Sequence, residues 1–312
     1  MENNIDISVI LMTYNHAPYV RKAIESILMQ KTTARFEILV HDDASTDGTQ
    51  EILKEYATRF HCIKLYLRKK KSINSNRSLY HLIRRAKGRY FAELEGDDFW
   101  IGEEKLETEY LFLENHAEYS AVYMDSITIS EAGHSIKDIS HYRIYDWEGR
   151  YQIQDYWYSG KYPGQTGTMM GRNIYLTCDA TVVYRAHDIM GDISDIMLFA
   201  IDGPIYRINQ VGSARRIVSR KGKSNWNSVA LDRDLELERV RARIVLLTYF
   251  EKRTDNYALV EKRWNMEYEA IKKHFLDSSS ANEIIHRGKI LLWAICGMWN
   301  NKLHSRGKSK KQ

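Results

Sequence analysis

The run Glu95-Gly96-Asp97-Asp98 sets three carboxylates within four residues, directly after the apolar run Tyr90-Phe91-Ala92-Glu93-Leu94. Acids this close repel one another and raise one another's pKa, so a strand that ends in them is costly unless the charge is balanced. A divalent cation balances it: Mg²⁺ is typically held by one or two carboxylates together with the oxygens of a substrate phosphate. A second acidic pair, Asp42-Asp43, closes the earlier apolar run Phe36-Glu37-Ile38-Leu39-Val40. Two strands ending in paired acids point to an α/β nucleotide site at the carboxyl edge of a sheet.

The flanking sequence supplies the elements needed to hold those acids. Ile7-Ser8-Val9-Ile10-Leu11-Met12 reads as a buried strand that ends at Thr13-Tyr14-Asn15. Val20, Ala23, Ile24, Ile27 and Leu28 then recur at helical spacing, behind a Pro18 that a first turn tolerates. After the strand at 36–40, Asp47-Gly48-Thr49-Gln50 supplies an N-cap with Gln at the third helical position. Ile52, Leu53, Tyr56, Ala57 and Phe60 make the inward stripe of that helix. A third strand is expected at Ile63 to Leu67, and a helix carrying Leu79, Leu82, Ile83 and Ala86 precedes the strand that feeds the acids. Alternation of strand and helix predicts a largely parallel sheet with right-handed crossovers. Further strands are expected at Ala121–Met124, Thr181–Tyr184 and Ile205–Ile208, with a long functional loop region between about 133 and 177. Helices at 235–250, 257–275 and 282–303 follow a boundary near 225, giving a sheet-based domain (1–225) and a helical C-terminal region (226–312).

Thr13-Tyr14-Asn15 after the first strand, Asp42-Asp43-Ala44-Ser45-Thr46-Asp47-Gly48-Thr49 after the second and Glu95-Gly96-Asp97-Asp98 after the fourth together resemble glycosyltransferase family 2, over roughly residues 5 to 220. The resemblance implies the GT-A fold: an α/β, Rossmann-like mixed sheet flanked by helices, here with a C-terminal helical appendage. It implies an inverting transferase that uses a nucleotide-diphosphate sugar and a divalent metal, Mn²⁺ or Mg²⁺. Thr13, Tyr14 and Asn15 then correspond to the segment against the base and ribose, and Asp43 to the acceptor of the uracil imide N–H. Asp42 and Asp47 order that loop and cap the next helix. Asp97 and Asp98 match the acidic motif for ribose and metal. Glu95 stands where the family often carries Asp.

A leaving nucleotide diphosphate develops charge that a divalent cation stabilises as a Lewis acid, and a carboxylate is needed to deprotonate the attacking hydroxyl. Candidates for that base are Asp195 and Asp192 in Gly191-Asp192-Ile193-Ser194-Asp195. The register of the apolar residues after Asp195 favours it, with Asp192 as the alternative. Arg216, beside Arg215 near the end of a predicted strand, is a candidate for bidentate pairing with the diphosphate. The run Arg68-Lys69-Lys70-Lys71 reads first as a solvated loop and second as an attractor of anions. Tyr151, Tyr156, Trp157, Tyr158 and Tyr162 suit either stacking on an acceptor's sugar rings or packing beneath a loop. Gly164-Gln165-Thr166-Gly167-Thr168 is expected to be a mobile segment on the acceptor side.

Bulk properties narrow the partners. The net charge of +5 is concentrated at the end of the chain: after Glu283 come seven Lys or Arg and no acid, leaving the first 283 residues at −2. Such a body argues against nonspecific nucleic-acid binding. Cys62, Cys178 and Cys296 are far apart, which argues against a disulfide framework or structural zinc. No secretory leader is evident at the amino terminus, so a cytoplasmic protein is expected, on the inner face of the cell membrane if the tail binds lipid. The apolar stretch Ile290–Trp299 is ten residues long, against about 20 for a membrane span. With Arg287, Lys289, Lys302 and Lys308–Lys311 around it, it reads either as an interfacial helix or as one packed on protein. The expected partners are a nucleotide-sugar donor, with UDP-sugars favoured through Asp43, and a surface-polysaccharide or lipid-linked oligosaccharide acceptor. A polyprenyl-phosphate acceptor and a non-catalytic carbohydrate- or nucleotide-binding module are the rival readings.

Overall fold

The computed structural model describes residues 5–136, 147–187, 191–218, 235–253 and 257–276. These fall into two compact units, one drawn from 1–184 and 188–233, the other from 185–187 and 234–312. In the first unit, β1 (Ile7–Thr13), β2 (Phe36–Asp42), β3 (Ile63–Leu67) and β4 (Tyr90–Glu95) pair in parallel in the order β3-β2-β1-β4. Every β1 side chain except Met12 is buried, as expected of a parallel strand covered on both faces. The helices α1 (Val20–Leu28), α2 (Thr49–Arg59) and α3 (Ser75–Ile83) lie in the crossovers. Ile7, Val9, Leu11, Ile38, Val40, Ala92 and Leu94 form one core with Ile24, Ile27 and Leu53. On β4 the alternate residue Phe91 instead packs its ring 5.8 Å from Phe199 and 5.5 Å from Tyr175. Glu93 and Glu95 share that face of the strand by period-2 alternation.

The second half makes the sheet mixed, as the resemblance implied, while two local expectations within it are corrected. After β5 (Phe99–Trp100) and α4 (Lys105–Asn115) come β6 (Ala121–Ser130), β7 (Gly149–Tyr151) and α5 (Ile153–Ser159). A four-residue strand, β8 (Met169–Arg172), then inserts antiparallel between β4 and β6 in the middle of the sheet. The segment expected to be loop from 133 to 177 therefore carries a central strand. Gly171 is required there: a Cβ would stand 2.2 Å from the Phe199 ring. Thr181–Tyr184, expected as a strand, instead leads into a short helix, α6 (Val182–Ala186). Asp179 Oδ1 accepts from Thr181 N at 3.1 Å and Thr181 Oγ1 at 2.6 Å, a local turn that starts helix where a short apolar run is ambiguous. Then α7 (Asp192–Asp202) leads to β9 (Ile205–Ile217), which runs parallel to β6 and antiparallel to β5 and β7.

The second unit contributes α8 (Leu235–Glu251) and α9 (Tyr257–Leu276), close to the expected ranges. Glu267 is buried between two cations, 3.0 Å from Arg243 Nε and in contact with Arg263. The boundary near 225, the helix at 282–303 with its Trp-rich stretch, and the basic tail lie outside the described residues. Among the described residues, no helix is long and apolar enough to cross a membrane.

A buried ion pair beneath β5 gives the first prediction. Lys105 Nζ donates to Glu109 Oε2 at 2.6 Å, both side chains are fully buried, and Lys105 lies 4.5 Å from the Trp100 ring centre. Burial pushes the Glu109 carboxyl up to about 7 although Lys105 pulls it down. Lys105→Met leaves that carboxyl uncompensated, at an expected cost of about 3 kcal/mol. A carboxyl with a raised folded-state pKa loses stability as pH rises through that pKa, so the penalty should be larger at pH 8 than at pH 5. The double variant Lys105→Met/Glu109→Leu should recover most of it, as urea unfolding at both pH values will show.

Candidate active site

The acids meet because the three parallel strands end in register: Thr13 pairs with Asp42, and Met12 with Glu95. The loops beyond are stitched across the strand ends. Asn15, in the left-handed region at φ 54°, donates its N–H to Ser45 Oγ at 2.8 Å and accepts from Thr46 N at 2.9 Å. Asp42 is fully buried and takes Thr13 Oγ1 at 2.8 Å, Ser45 N at 2.9 Å and Gln50 Nε2 at 2.6 Å. Asp47 accepts from Ala17 N at 3.0 Å and from Thr49 Oγ1 at 2.6 Å. The expected capping box at 47–50 is thus not formed. Gly48 is the N-cap at φ 98°, and Gln50 reaches across to Asp42 instead of back to its own helix.

Asp43 is presented differently. Ser72 N donates to its Oδ1 at 2.8 Å, Arg68 Nε lies 3.4 Å from the same oxygen and His41 Nε2 3.9 Å. Burial works to raise this carboxyl, but the donors and positive charge of His41, Ser72 N and Arg68 outweigh it and hold the group below the usual range. Asp43 is therefore ionised at neutral pH, with every one of these contacts on one oxygen. The basic run at 68–71 is not merely solvated: besides Arg68, Lys71 Nζ sits 3.8 Å from the centre of the Tyr14 ring.

At the end of β4, Glu95, Asp97 and Asp98 each offer an oxygen within 4.8 Å of the others. Gly96 folds this turn back on β1, its N–H donating to Met12 O at 2.8 Å. Asp98 is buried between Arg216 N, which donates to Oδ1 at 2.7 Å, and Gln165 Nε2, which donates to Oδ2 at 3.2 Å. Burial, then the charges of Asp97 and Glu95, push its carboxyl well above the usual range. Glu95 reaches solvent, yet the protein crowded around it and the charge of Asp97 push its carboxyl up to about 7. Asp97 lies 3.8 Å from His16 Nε2. His16 carries no motif, and no signal in the sequence marks it.

The arginine pair divides its work in a way the sequence did not show. Arg216 donates through Nε to Asp97 O at 2.8 Å and through Nη1 to Glu131 O at 2.8 Å and Ser130 O at 3.2 Å, with Tyr19 4.5 Å beneath it. Its guanidinium is thus engaged as a strut between the acidic turn and β6. Arg215 is the buried cation whose charge opposes the raising of Glu95 and Asp98. The segment 164–168, expected to be mobile, is packed under the site: all of it but Thr166 is buried, and Trp100 Nε1 donates to Gly167 O at 2.8 Å. Tyr151, Tyr156 and Trp157 are buried as well, which favours packing over stacking on a ligand.

Asp192, not Asp195, opens α7. It is half-buried, and its charge bears on Glu95 and Glu93. Asp195 lies one turn further in, 2% exposed, with the Tyr175 hydroxyl donating to its Oδ1. Burial pushes its carboxyl up to about 7; the Tyr175 hydrogen bond lowers it and Asp192 raises it. Thr13, Tyr14, Asn15, Asp43, Glu95, Asp97, Asp98 and Arg216 thus gather around the carboxyl ends of β1, β2 and β4, and the charge of Asp192 at the opening of α7 bears on Glu95. Glu93 and Tyr175 went unremarked in the sequence; the only trace of Glu93 is an acid at an inward position of a strand.

Residues 8–177 match the family described as Glycosyl transferase family 2. EpsE of Bacillus subtilis, named as a glycosyltransferase, is 35% identical over 133 residues, 43% of this chain and 47% of its own length. TuaG of the same organism, named as a glycosyltransferase of teichuronic acid biosynthesis, is 36% identical over 110 residues, 34% of this chain and 41% of its own length. The matched segments thus span less than half of these relatives. S. aureus TarS 1-349, solved in complex with UDP-GlcNAc, superposes with a TM-score of 0.66 over 93% of this chain and 81% of that one, at 16% identity. That likeness is one of fold.

Gly96 is a tightly constrained backbone position within the acidic turn. A Cβ would stand 2.7 Å from Thr13 Cγ2 and 2.9 Å from His16 Nδ1. Gly96→Ala should therefore cost about 2 kcal/mol in urea unfolding, as overpacking typically does.

Proposed function

Since the chain belongs to glycosyl transferase family 2, we propose that it transfers a sugar from a UDP-sugar donor, with inversion, to a hydroxyl of a surface-polysaccharide or lipid-linked oligosaccharide acceptor. The observation that carries this reading is the pairing of two unlike acidic sites across the end of β1. Asp43 is an ionised acceptor with its contacts confined to Oδ1, so Oδ2 is suited to the imide N–H of uracil. Across β1, the cluster Glu95–Asp97–Asp98 suits a ribose and a diphosphate carried with a divalent cation. The UDP-GlcNAc complex of TarS and the naming of TuaG for teichuronic acid biosynthesis support the donor and acceptor classes.

A divalent cation fits the donor set. Three carboxylates within 4.8 Å, two of them with raised pKa, form a site whose repulsion a cation relieves, and hard oxygen donors suit Mg²⁺ or Mn²⁺. Glu95, Asp97 and Asp98 would hold it, and when bound it supplies Lewis-acid stabilisation of the departing diphosphate. The chain's own groups do the rest. Tyr14 flanks the base beside Lys71, and Arg215 adds positive charge for the phosphate oxygens. Arg216 fixes the acidic turn. Asp192 takes the proton of the acceptor hydroxyl as its oxygen attacks the anomeric carbon opposite the leaving group. We assign the base to Asp192 over Asp195 because it stands at the opening of α7 with access to solvent.

UDP with Mn²⁺ should raise the melting temperature, and EDTA should abolish that shift; a shift equal without metal would remove the cation from the reading. Asp43→Ala should abolish it too. Asp192→Asn should cut kcat by about 10²-fold or more and leave the UDP shift intact. If Asp192→Asn retains most of its rate, an acceptor that is already anionic, such as a polyprenyl phosphate, replaces the hydroxyl. If no UDP-sugar is turned over at high protein concentration while UDP binds, the chain is a binding module.

A further inference from the structure

Behind the proposed base lies a buried cluster that the reaction does not use. The Tyr175 hydroxyl donates to Asp195 Oδ1; both side chains are buried, Tyr175 completely. Tyr175 is itself fixed: its ring packs 5.5 Å from Phe91 and 6.2 Å from Tyr80, and Arg84 Nη1 donates to its carbonyl at 2.8 Å. The bond therefore ties α7 to β4 and α3. Further titratable groups act on the Asp195 carboxyl from neighbouring elements, among them Glu93 on β4, Tyr123 on β6 and Asp192 on α7 itself. Among the described residues, Glu93 Oε1 is buried with no hydrogen-bond partner.

The first turn of α7 hangs from this contact. Asp195 N and Ser194 N both donate to Gly191 O, at 3.0 and 2.8 Å. Asp195 Oδ2 and Asn76 Oδ1 lie 3.8 and 3.3 Å from where a Cβ would stand at Gly191. Asp192 sits between those two anchored residues, three positions before Asp195 and so on the same side of the helix. We propose that Tyr175 and Asp195 form a buried latch that holds the opening turn of α7 and so positions Asp192 at the site, with Asp195 itself outside the proton transfer. This rests on the reading of Asp192 as base. Both latch members are positioning residues.

The distinguishing property is tolerance of an amide. Asparagine at 195 keeps the oxygen that accepts from the Tyr175 hydroxyl, whereas it has no basicity. The test measures UDP release from UDP-glucose, UDP-galactose and UDP-GlcNAc with Mn²⁺, on variants whose folding is checked by melting temperature and by the UDP shift. Asp195→Asn should keep kcat within about threefold of the parent. Tyr175→Phe and Asp195→Leu should lower kcat about tenfold, since loss of positioning acts on the step that needs alignment, with the donor KM within about twofold. Should Asp195→Asn be as inactive as Asp192→Asn while still showing the UDP shift, Asp195 takes part in the proton transfer and the latch is overturned, although Asp192 stands. Should Asp192→Asn be active and Asp195→Asn dead, the base assignment itself falls. Unchanged kcat in Tyr175→Phe and Asp195→Leu would also overturn the latch.

Discussion

Repulsion among acids at the carboxyl edge of one sheet is the constraint on which the rest of this molecule depends. Glu95, Asp97 and Asp98 crowd within 4.8 Å, and the fold answers them with positive charge and N–H donors drawn from distant segments. Asp98 alone takes a main-chain N–H from β9 and an amide from the turn at 164–168. Arg215 and Arg216 reach the cluster only because β9 runs for 13 residues along β6, through register shifts around Asp125. The glycine at 96 exists for the same reason: the acidic turn has to fold against Thr13 and His16 with no room for a side chain. Even so, two of the acids keep raised carboxyl pKa values. The protein relieves the repulsion in part and leaves a remainder that a cation would complete.

The half of the sheet that carries Asp43 and the acids at 95–98 was legible because its signals are local. Each strand is a continuous apolar run, each helix an apolar stripe at 3.6 spacing, and each acidic motif falls where one ends and the next begins. The cap expected of Asp47 fell instead to Gly48, whereas Asp42 as the organiser of its loop followed from residue type. The finer geometry did not. That Gln50 serves Asp42 instead of its own helix depends on the packing of α2 against the strand ends, which no spacing along the chain encodes.

The other half of the sheet was poorly legible, and for a physical reason. β8 has four residues, one of them Gly171, and pairs on both sides with strands far away in sequence. Nothing within those residues distinguishes a central strand from a loop. Thr181–Tyr184 failed for the opposite reason: β-branched residues promised a strand, but the turn at Asp179 started a helix. Arg215 and Arg216 are indistinguishable as sequence. Their opposite fates follow from strand alternation, which sends successive side chains to opposite faces.

Asp43 and the triad at 95–98 show how one residue type is given unlike chemistry by its surroundings. At Asp43, burial is outweighed by donors on a single oxygen, which fixes a charged acceptor before any ligand arrives. At Glu95 and Asp98, burial and neighbouring acids win, and both carboxyls are held above the usual range. The same logic separates Asp192 from Asp195. Three residues of helix carry a side chain about 4.5 Å along the axis. That distance takes the carboxylate from the solvent-facing end of α7 to a closed pocket against Tyr175. An acid at the first position can exchange a proton with an incoming hydroxyl. One at the second is buried against Tyr175, which is why the proposed latch gives it a part in holding the turn and none in the proton transfer.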